Sequence, residues 1–259
     1  MDQVVASGSD ALIEPPSEVR VAAYPPAESS NLYILDHSVA AQCDASAAVF
    51  NHQSTATAQR PSSRLMDVTL ATLLLILTLP LMMFCALAVV CSGRGPVLFS
   101  QRRIGKYGKE FNCLKFRTMV PGAELAIPSI LQSSASVVAE WTASQKLRDD
   151  PRVTFVGRVL RRYCLDELPQ LVNVLAGHMS IVGPRPIIAA EVVRYGPYFA
   201  DYCSVRPGLT GLWQVSDRHA ISYEDRVRLD ATYAKSKSVR TDLRIIWRTV
   251  PIVLGGKNV

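Results

Sequence analysis

An apolar run from Val68 to Cys91 constrains the fold of this chain more than any other feature. A helix of about 24 residues, rising about 1.5 Å per residue, matches a hydrocarbon core of about 30 Å. Pro80 lies near the middle of the run. Proline there removes a backbone hydrogen bond and bends a helix, leaving two arms of about 12 residues, each too short to cross a bilayer alone. The run therefore predicts a membrane anchor. Its length favours a spanning helix, whereas its proline favours a re-entrant hairpin.

Basic residues flank the apolar run on both sides. They are Arg60 and Arg64 before it and Arg94, Arg102, Arg103, Lys106 and Lys109 after it. Basic residues concentrate on the cytoplasmic side of membranes, so two basic flanks favour a hairpin that enters and leaves by one face. The residues alone leave a re-entrant hairpin and a true span open.

Residues 1–63 differ in composition from the rest of the chain. They are rich in Ala, Ser, Pro and Gln and show no sustained hydrophobic period, which is typical of a disordered tail. The first residues lack the basic start and apolar core of a secretory signal peptide, so none is expected.

The chain is basic, with a net charge of +6 and a pI of about 9.1. Such a charge suits nucleic acid, anionic lipid or phosphorylated substrates. No nucleic-acid recognition motif accompanies it, and the apolar run favours lipid and phosphate. We therefore expect no nucleic-acid partner.

Two adjacent carboxylates, Asp166 and Glu167, precede a helical pattern of leucines. Pro169 suits a first helical turn, so the pattern predicts a helix that begins at the carboxylates. Acidic residues commonly cap helices, and the pair alone does not define a site. Four arginines surround the pair in sequence, however: Arg158, Arg161, Arg162 and Arg185. This combination indicates an anion site that contains a nucleophile or a metal ion.

The segment CLDELPQLVNVLAGHMSIVGPRP resembles the signature of the bacterial sugar transferases, the monotopic polyprenyl-phosphate phosphoglycosyl transferases that start polysaccharide assembly. Further matching blocks are Phe99–Met119, Asp150–Arg162 and Val205–Arg218, so the resemblance covers the chain from about Arg64 onward. It implies a helix-rich α/β catalytic domain at 95–259, anchored by a proline-broken re-entrant helix at 64–94. The expected location is the cytoplasmic face of a bacterial inner membrane.

The resemblance also implies a reaction. Hexose 1-phosphate would pass from a UDP-hexose, UDP-galactose or UDP-glucose, to undecaprenyl phosphate with release of UMP. Asp166 would be the nucleophile that forms a phosphosugar–aspartyl intermediate, and Glu167 would hold Mg²⁺ together with Asp166. The expected phosphate- and substrate-binding residues are Lys115, Arg117, Arg161, Arg185 and Arg206. Inner membrane lipids are further expected partners, and a homo-oligomer is compatible with the sequence.

Lys115 and Arg117 alternate with Phe116, which predicts that both side chains point to one face of a strand. Two positions depart from the family pattern. His178 stands where relatives have Asp or Glu, and Cys164 stands where they have Ser or Thr. A catalytically silent membrane adaptor of a polysaccharide assembly complex is the alternative function, which the intact Asp166 and Glu167 disfavour.

Overall fold

The computed structural model describes residues 61–132, 134–144, 147–216 and 221–255. The predicted disordered tail lies outside the described residues except at 61–63, and Arg60 and Arg218 also lie outside them.

The apolar run forms a single helix, α1 (Pro61–Cys91), which contains Pro80. The helix is continuous through Pro80, so the predicted break at this residue is not confirmed. The Thr78 hydroxyl donates to the Leu74 carbonyl at 2.7 Å, a local bond that can bend a helix without interrupting it. By length and composition α1 can cross a membrane, and most of its apolar side chains are exposed. Whether it re-enters or spans stays a prediction.

One face of α1 packs against the rest of the protein along both halves of the helix. Ala71 in the first half joins a core with Leu171 and Val174. Cys85 in the second half packs in a second cluster around Phe116 and Leu160. Leu168 packs against both clusters. Both halves of α1 therefore contact the same domain.

Polar contacts fasten the first half of α1. The Arg64 guanidinium donates to the carbonyls of Val174 and Leu175 at 2.8 and 3.0 Å. The buried Asp67 carboxylate accepts from the Ser180 hydroxyl and from the Ile181 N–H at 2.9 Å. An unpaired carboxylate at this depth would be costly, and these two donors stabilise it.

An antiparallel hairpin follows α1. Its strands are β1 (Leu98–Ile104) and β2 (Glu110–Phe116), with Leu98 opposite Phe116 and Ile104 opposite Glu110. The next helices are α2 (Ile127–Leu131), α3 (Ala135–Ser144) and α4 (Phe155–Arg162).

A second sheet pairs two short parallel strands, β3 (Ser180–Val182) and β4 (Gly208–Thr210). The remaining helices are α5 (Gln170–Leu175), α6 (Val192–Tyr195), α7 (Phe199–Ser204), α8 (Tyr223–Ser236) and α9 (Val239–Leu254). The described part of the chain is thus helix-rich with small sheets, which agrees with the predicted α/β class.

Candidate active site

Asp166 and Glu167 lie on a 3₁₀ turn, Leu165–Glu167. The α-helix predicted to begin at these carboxylates begins only at Gln170, so that boundary was wrong. The reason lies in Pro169, which has no N–H to donate to the Leu165 carbonyl; the Leu168 N–H donates to that carbonyl instead, at 3.2 Å.

Cys164 directly precedes this turn and adopts a left-handed conformation with φ of 54°. Its side chain makes no capping hydrogen bond to the turn.

Among the described residues, Lys115, near the end of β2, is the cation closest to the two carboxylates. Its Nζ lies 2.6 Å from Glu167 Oε1 and 3.9 Å from Asp166 Oδ2. Charge-assisted contacts of this kind are stronger than neutral hydrogen bonds. The structure thus brings together three of the predicted site residues.

Arg161 reaches the same region from the last turn of α4. Its Nε donates to the Thr118 hydroxyl at 2.9 Å. Gly157 permits this approach, because a side chain at that position would collide with the Thr118 backbone. Thr154 starts α4 by accepting the Gly157 N–H at 2.9 Å.

Burial dominates the electrostatics of the Asp166 carboxyl, which is only 8% exposed. Burial raises the pKa of Asp166, and the neighbouring Glu167 adds to the rise, whereas Lys115 and Arg161 oppose it. Burial also lowers the pKa of Arg161. A poorly hydrated carboxylate between two cations is a suitable nucleophile, because water does not mask its charge.

A cleft opens beside the carboxylates and is lined by Lys115, Glu167, Arg185, Arg103, Gln170 and Gln214 among others. Arg185, predicted from its place between two prolines, therefore shares the cleft with Lys115 and Glu167.

Arg103 is a cleft residue that the sequence reasoning missed. Its Nη1 donates to the Pro186 carbonyl at 2.9 Å and thereby holds the segment that carries Arg185. The alternation of side chains along a strand is the signal that could have identified Arg103. In β1, Gln101 and Arg103 are half-buried, whereas Arg102 between them is exposed.

Arg117 and Arg206 do not line this cleft. The Arg117 guanidinium donates to the carbonyl of Val89 in the last turn of α1 and to those of Gly93 and Arg94 just after it, at 2.7 to 3.0 Å. Because β2 ends at Phe116, Arg117 does not share the surroundings of Lys115. Arg206 Nε donates to the Gly177 carbonyl at 2.7 Å. Phosphate binding by these two arginines stays a prediction.

The predicted cluster of four arginines around the carboxylates is only partly formed. Arg158 and Arg162 lie four residues apart on the exposed face of α4, whereas Arg161 points inward. His178 is exposed and stacks on Phe111 with ring centroids 5.8 Å apart, and it does not line the cleft.

The donor set around Asp166 and Glu167 decides whether the pair fits a magnesium ion. The described residues contain no group of three or more His, Cys, Asp or Glu side chains that would hold a metal ion alone. Mg²⁺ is usually bound by one or two carboxylates together with substrate phosphates. Asp166 and Glu167 therefore fit a cation that arrives with a diphosphate.

Comparisons with known proteins identify the family of this chain. The family model for bacterial sugar transferase matches residues 58–256. The chain is 45% identical over 192 residues to the exopolysaccharide production protein ExoY of Sinorhizobium fredii, covering 74% of this chain and 85% of that protein. The chain belongs to the bacterial sugar transferase family, as its motifs predicted.

Two further relatives carry more specific names. The chain is 42% identical over 191 residues to an undecaprenyl-phosphate galactose phosphotransferase of Salmonella typhimurium, covering 74% of this chain and 40% of that protein. It is 40% identical over 192 residues to a UDP-glucose:undecaprenyl-phosphate glucose-1-phosphate transferase of Escherichia coli, covering 71% of this chain and 38% of that protein. The chain thus spans less than half the length of these two relatives.

Proposed function

We propose that the protein transfers hexose 1-phosphate from a UDP-hexose to undecaprenyl phosphate, as the first membrane step of exopolysaccharide assembly. The observation that carries the proposal is the buried Asp166 beside Glu167, with Lys115 and Arg161 acting on its charge. The names of the relatives from Salmonella typhimurium and Escherichia coli support the substrate classes, galactose or glucose as the sugar and undecaprenyl phosphate as the acceptor.

In the proposed mechanism, an Asp166 carboxylate oxygen attacks the β-phosphorus of the UDP-hexose. The bond between that phosphorus and the bridging oxygen breaks, and UMP leaves with the electron pair. An oxygen of undecaprenyl phosphate then attacks the same phosphorus, which restores the aspartate and forms the lipid diphosphate hexose. Two displacements at one carboxylate divide the exchange into two steps with similar bond changes.

The surrounding cations lower the repulsion between anionic nucleophile and anionic diphosphate. Lys115 and Arg185 are distant in the sequence, and both line the cleft. Both side chains are suited to binding phosphate oxygens. Asp166 and Glu167 would hold Mg²⁺, which neutralises diphosphate charge when bound. Phosphoryl transfer depends mainly on such positioning and charge stabilisation.

The anchor supports a location at the membrane surface. A polyprenyl phosphate keeps its chain in the bilayer and its phosphate at the headgroup level, so the cleft must lie near that level. Both halves of α1 pack against the domain that carries the cleft, which supports a re-entrant helix rather than a straight span. Basic flanks support the cytoplasmic face of the inner membrane.

The test is UMP release by detergent-purified protein with Mg²⁺, undecaprenyl phosphate and either UDP-galactose or UDP-glucose. We expect release with one sugar nucleotide, and loss of release in Asp166→Asn and with chelator. Glu224→Gln, which removes an exposed charge on α8, is the matched control and should keep the wild-type rate. No release by the wild-type protein with any UDP-sugar would favour the adaptor.

A further inference from the structure

Unpartnered polar atoms accumulate next to the cleft. Among the described residues, the buried side-chain atoms without a hydrogen-bond partner are Trp213 Nε1, Gln214 Oε1, Arg226 Nε, Arg226 Nη2 and Asp230 Oδ1. They come from the 3₁₀ turn Trp213–Val215 and from α8. Buried polar groups are normally paired, and a cluster of exceptions indicates a missing partner.

The residues of this cluster are held in place by their other contacts. The Arg226 guanidinium lies over the rings of Trp213 and Tyr223, 5.2 and 4.9 Å from their centroids. Its nearest carboxylate oxygens are at 3.6 Å on Glu191 and 3.9 Å on Asp230, beyond hydrogen-bond distance. The arginine is therefore oriented by packing, while two of its nitrogens have no hydrogen-bond partner.

Asp230 is held in a similar way. It is fully buried, and the Tyr195 hydroxyl donates to its Oδ2 at 2.8 Å, which leaves Oδ1 unpaired. One oxygen thus fixes the carboxyl group, and the other is buried without a hydrogen-bond partner.

Gln214 connects the cluster to the cleft. It lines the cleft together with Lys115, Glu167 and Arg185. Its Nε2 makes only a long contact, 3.4 Å, to the Leu209 carbonyl, and its Oε1 is unpaired. Gln214 is therefore the member of the cluster that a molecule in the cleft reaches first.

We propose that Gln214, together with its chain neighbour Trp213, binds a neutral polar part of the sugar-nucleotide donor through hydrogen bonds. This inference rests on the proposed function. The cluster presents N–H donors from Trp213 and Arg226 and oxygens from Gln214 and Asp230. A phosphate offers acceptors only, so it would pair with the N–H donors and leave Gln214 Oε1 without a partner. The hydroxyls of a hexose and the imide edge of uracil each donate and accept, and so match the cluster.

The experiment measures binding of UDP-hexose and of UMP, in the presence of Mg²⁺, by calorimetry on the detergent-purified full chain. Gln214→Met keeps the size of the side chain and removes its amide; Trp213→Phe keeps an aromatic ring and removes the N–H. Trp247→Phe is the control, because Trp247 is 81% exposed on α9. We expect each of the first two variants to bind UDP-hexose about 3- to 10-fold more weakly, and the control to bind as the wild type does.

The two ligands distinguish the sources of the hydrogen bonds. Weaker binding of UDP-hexose with unchanged UMP affinity assigns the contact to the hexose, and weaker binding of both assigns it to the uracil. Wild-type affinity for both ligands in Gln214→Met and in Trp213→Phe would overturn the proposal and leave the cluster to interior water. Absence of binding by the wild-type protein would overturn it as well.

Binding is measured without turnover, so this test is separate from the proposed reaction. A protein that released no UMP but bound UDP-hexose in a Gln214-dependent way would refute the reaction and keep the binding site. Thermal unfolding of each variant provides the check on folding. If Gln214→Met unfolds early, Trp213→Phe carries the test.

Discussion

Replacing Arg117 with alanine is expected to destabilise the junction between α1 and the catalytic domain. The Arg117 guanidinium donates three hydrogen bonds, to the carbonyls of Val89, Gly93 and Arg94. Val89 is in the last turn of α1, where helical carbonyls lack partners within the helix, and Gly93 and Arg94 follow the helix end at Cys91. The side chain therefore acts as a cap that also joins the helix to the segment after β2.

The size of the effect follows from the charge and burial of the contact. A hydrogen bond to a charged group contributes about 1.5–3 kcal/mol, and water replaces it in part where the carbonyl is exposed. Gly93 and Arg94 are exposed and Arg117 is buried, so we expect a total loss of about 2–4 kcal/mol. For a chain of this size the midpoint of thermal unfolding should fall by about 5–15 °C.

Thermal unfolding of the detergent-purified variants measures this loss. Arg102→Ala is the control, because that side chain is 73% exposed and pairs with Glu110 only at 3.6 Å. Exposed pairs contribute about 0–1 kcal/mol, so its midpoint should barely change. An Arg117→Ala variant with the wild-type midpoint and a raised KM for UDP-hexose would refute the reasoning and favour phosphate binding by Arg117.

Three other substitutions give distinct expected outcomes. Lys115→Met should lower kcat about 100-fold with a wild-type unfolding midpoint, because it removes the cation 2.6 Å from Glu167; a wild-type kcat would exclude Lys115 from the reaction. Asp67→Ala should lower stability by about 3 kcal/mol, since it leaves the Ser180 hydroxyl and a backbone N–H buried without an acceptor, and unfolding at the wild-type temperature would contradict this. Burial raises the pKa of Asp230 to about 7, so between its unfolded pKa and pH 7 the folded state keeps a proton that the unfolded state loses. The free energy of unfolding should therefore fall as pH rises through that window, by up to about 1.4 kcal/mol per pH unit. Asp230→Asn should remove this pH dependence, which unfolding scans at several pH values measure. An equal pH dependence in the variant would exclude Asp230 as its source.

The parts of the site that the sequence predicted are those whose residues are close together in the chain. Asp166, Glu167 and Arg161 lie within one short segment, and their proximity follows from the chain itself. The apolar run predicted α1 for the same reason, because length and composition suffice to identify such a helix.

The roles that sequence could not predict depend on contacts between distant segments. Asp67 accepts a hydrogen bond from Ser180, and Arg117 donates to Val89 in the last turn of α1. Because the partners are far apart in the sequence, no helical or strand period predicts these contacts. Lys115 and Arg117 show the limit clearly: alternation placed them on one face, but the strand ended between them and the two side chains reach different partners. Helix α5 starts at Gln170 and not at the carboxylates, because Pro169 has no N–H to donate.

The most direct test of the central claim is to incubate the protein with Mg²⁺ and UDP-hexose labelled at the β-phosphate, without the lipid acceptor. The proposed two-step displacement predicts release of about one UMP per protein chain, with the label bound covalently to Asp166 and transferred to undecaprenyl phosphate on its addition. Asp166→Asn should show neither label nor UMP. Rapid turnover with acceptor, but no labelled protein and no UMP in its absence, would contradict the account and indicate a direct transfer between the two substrates.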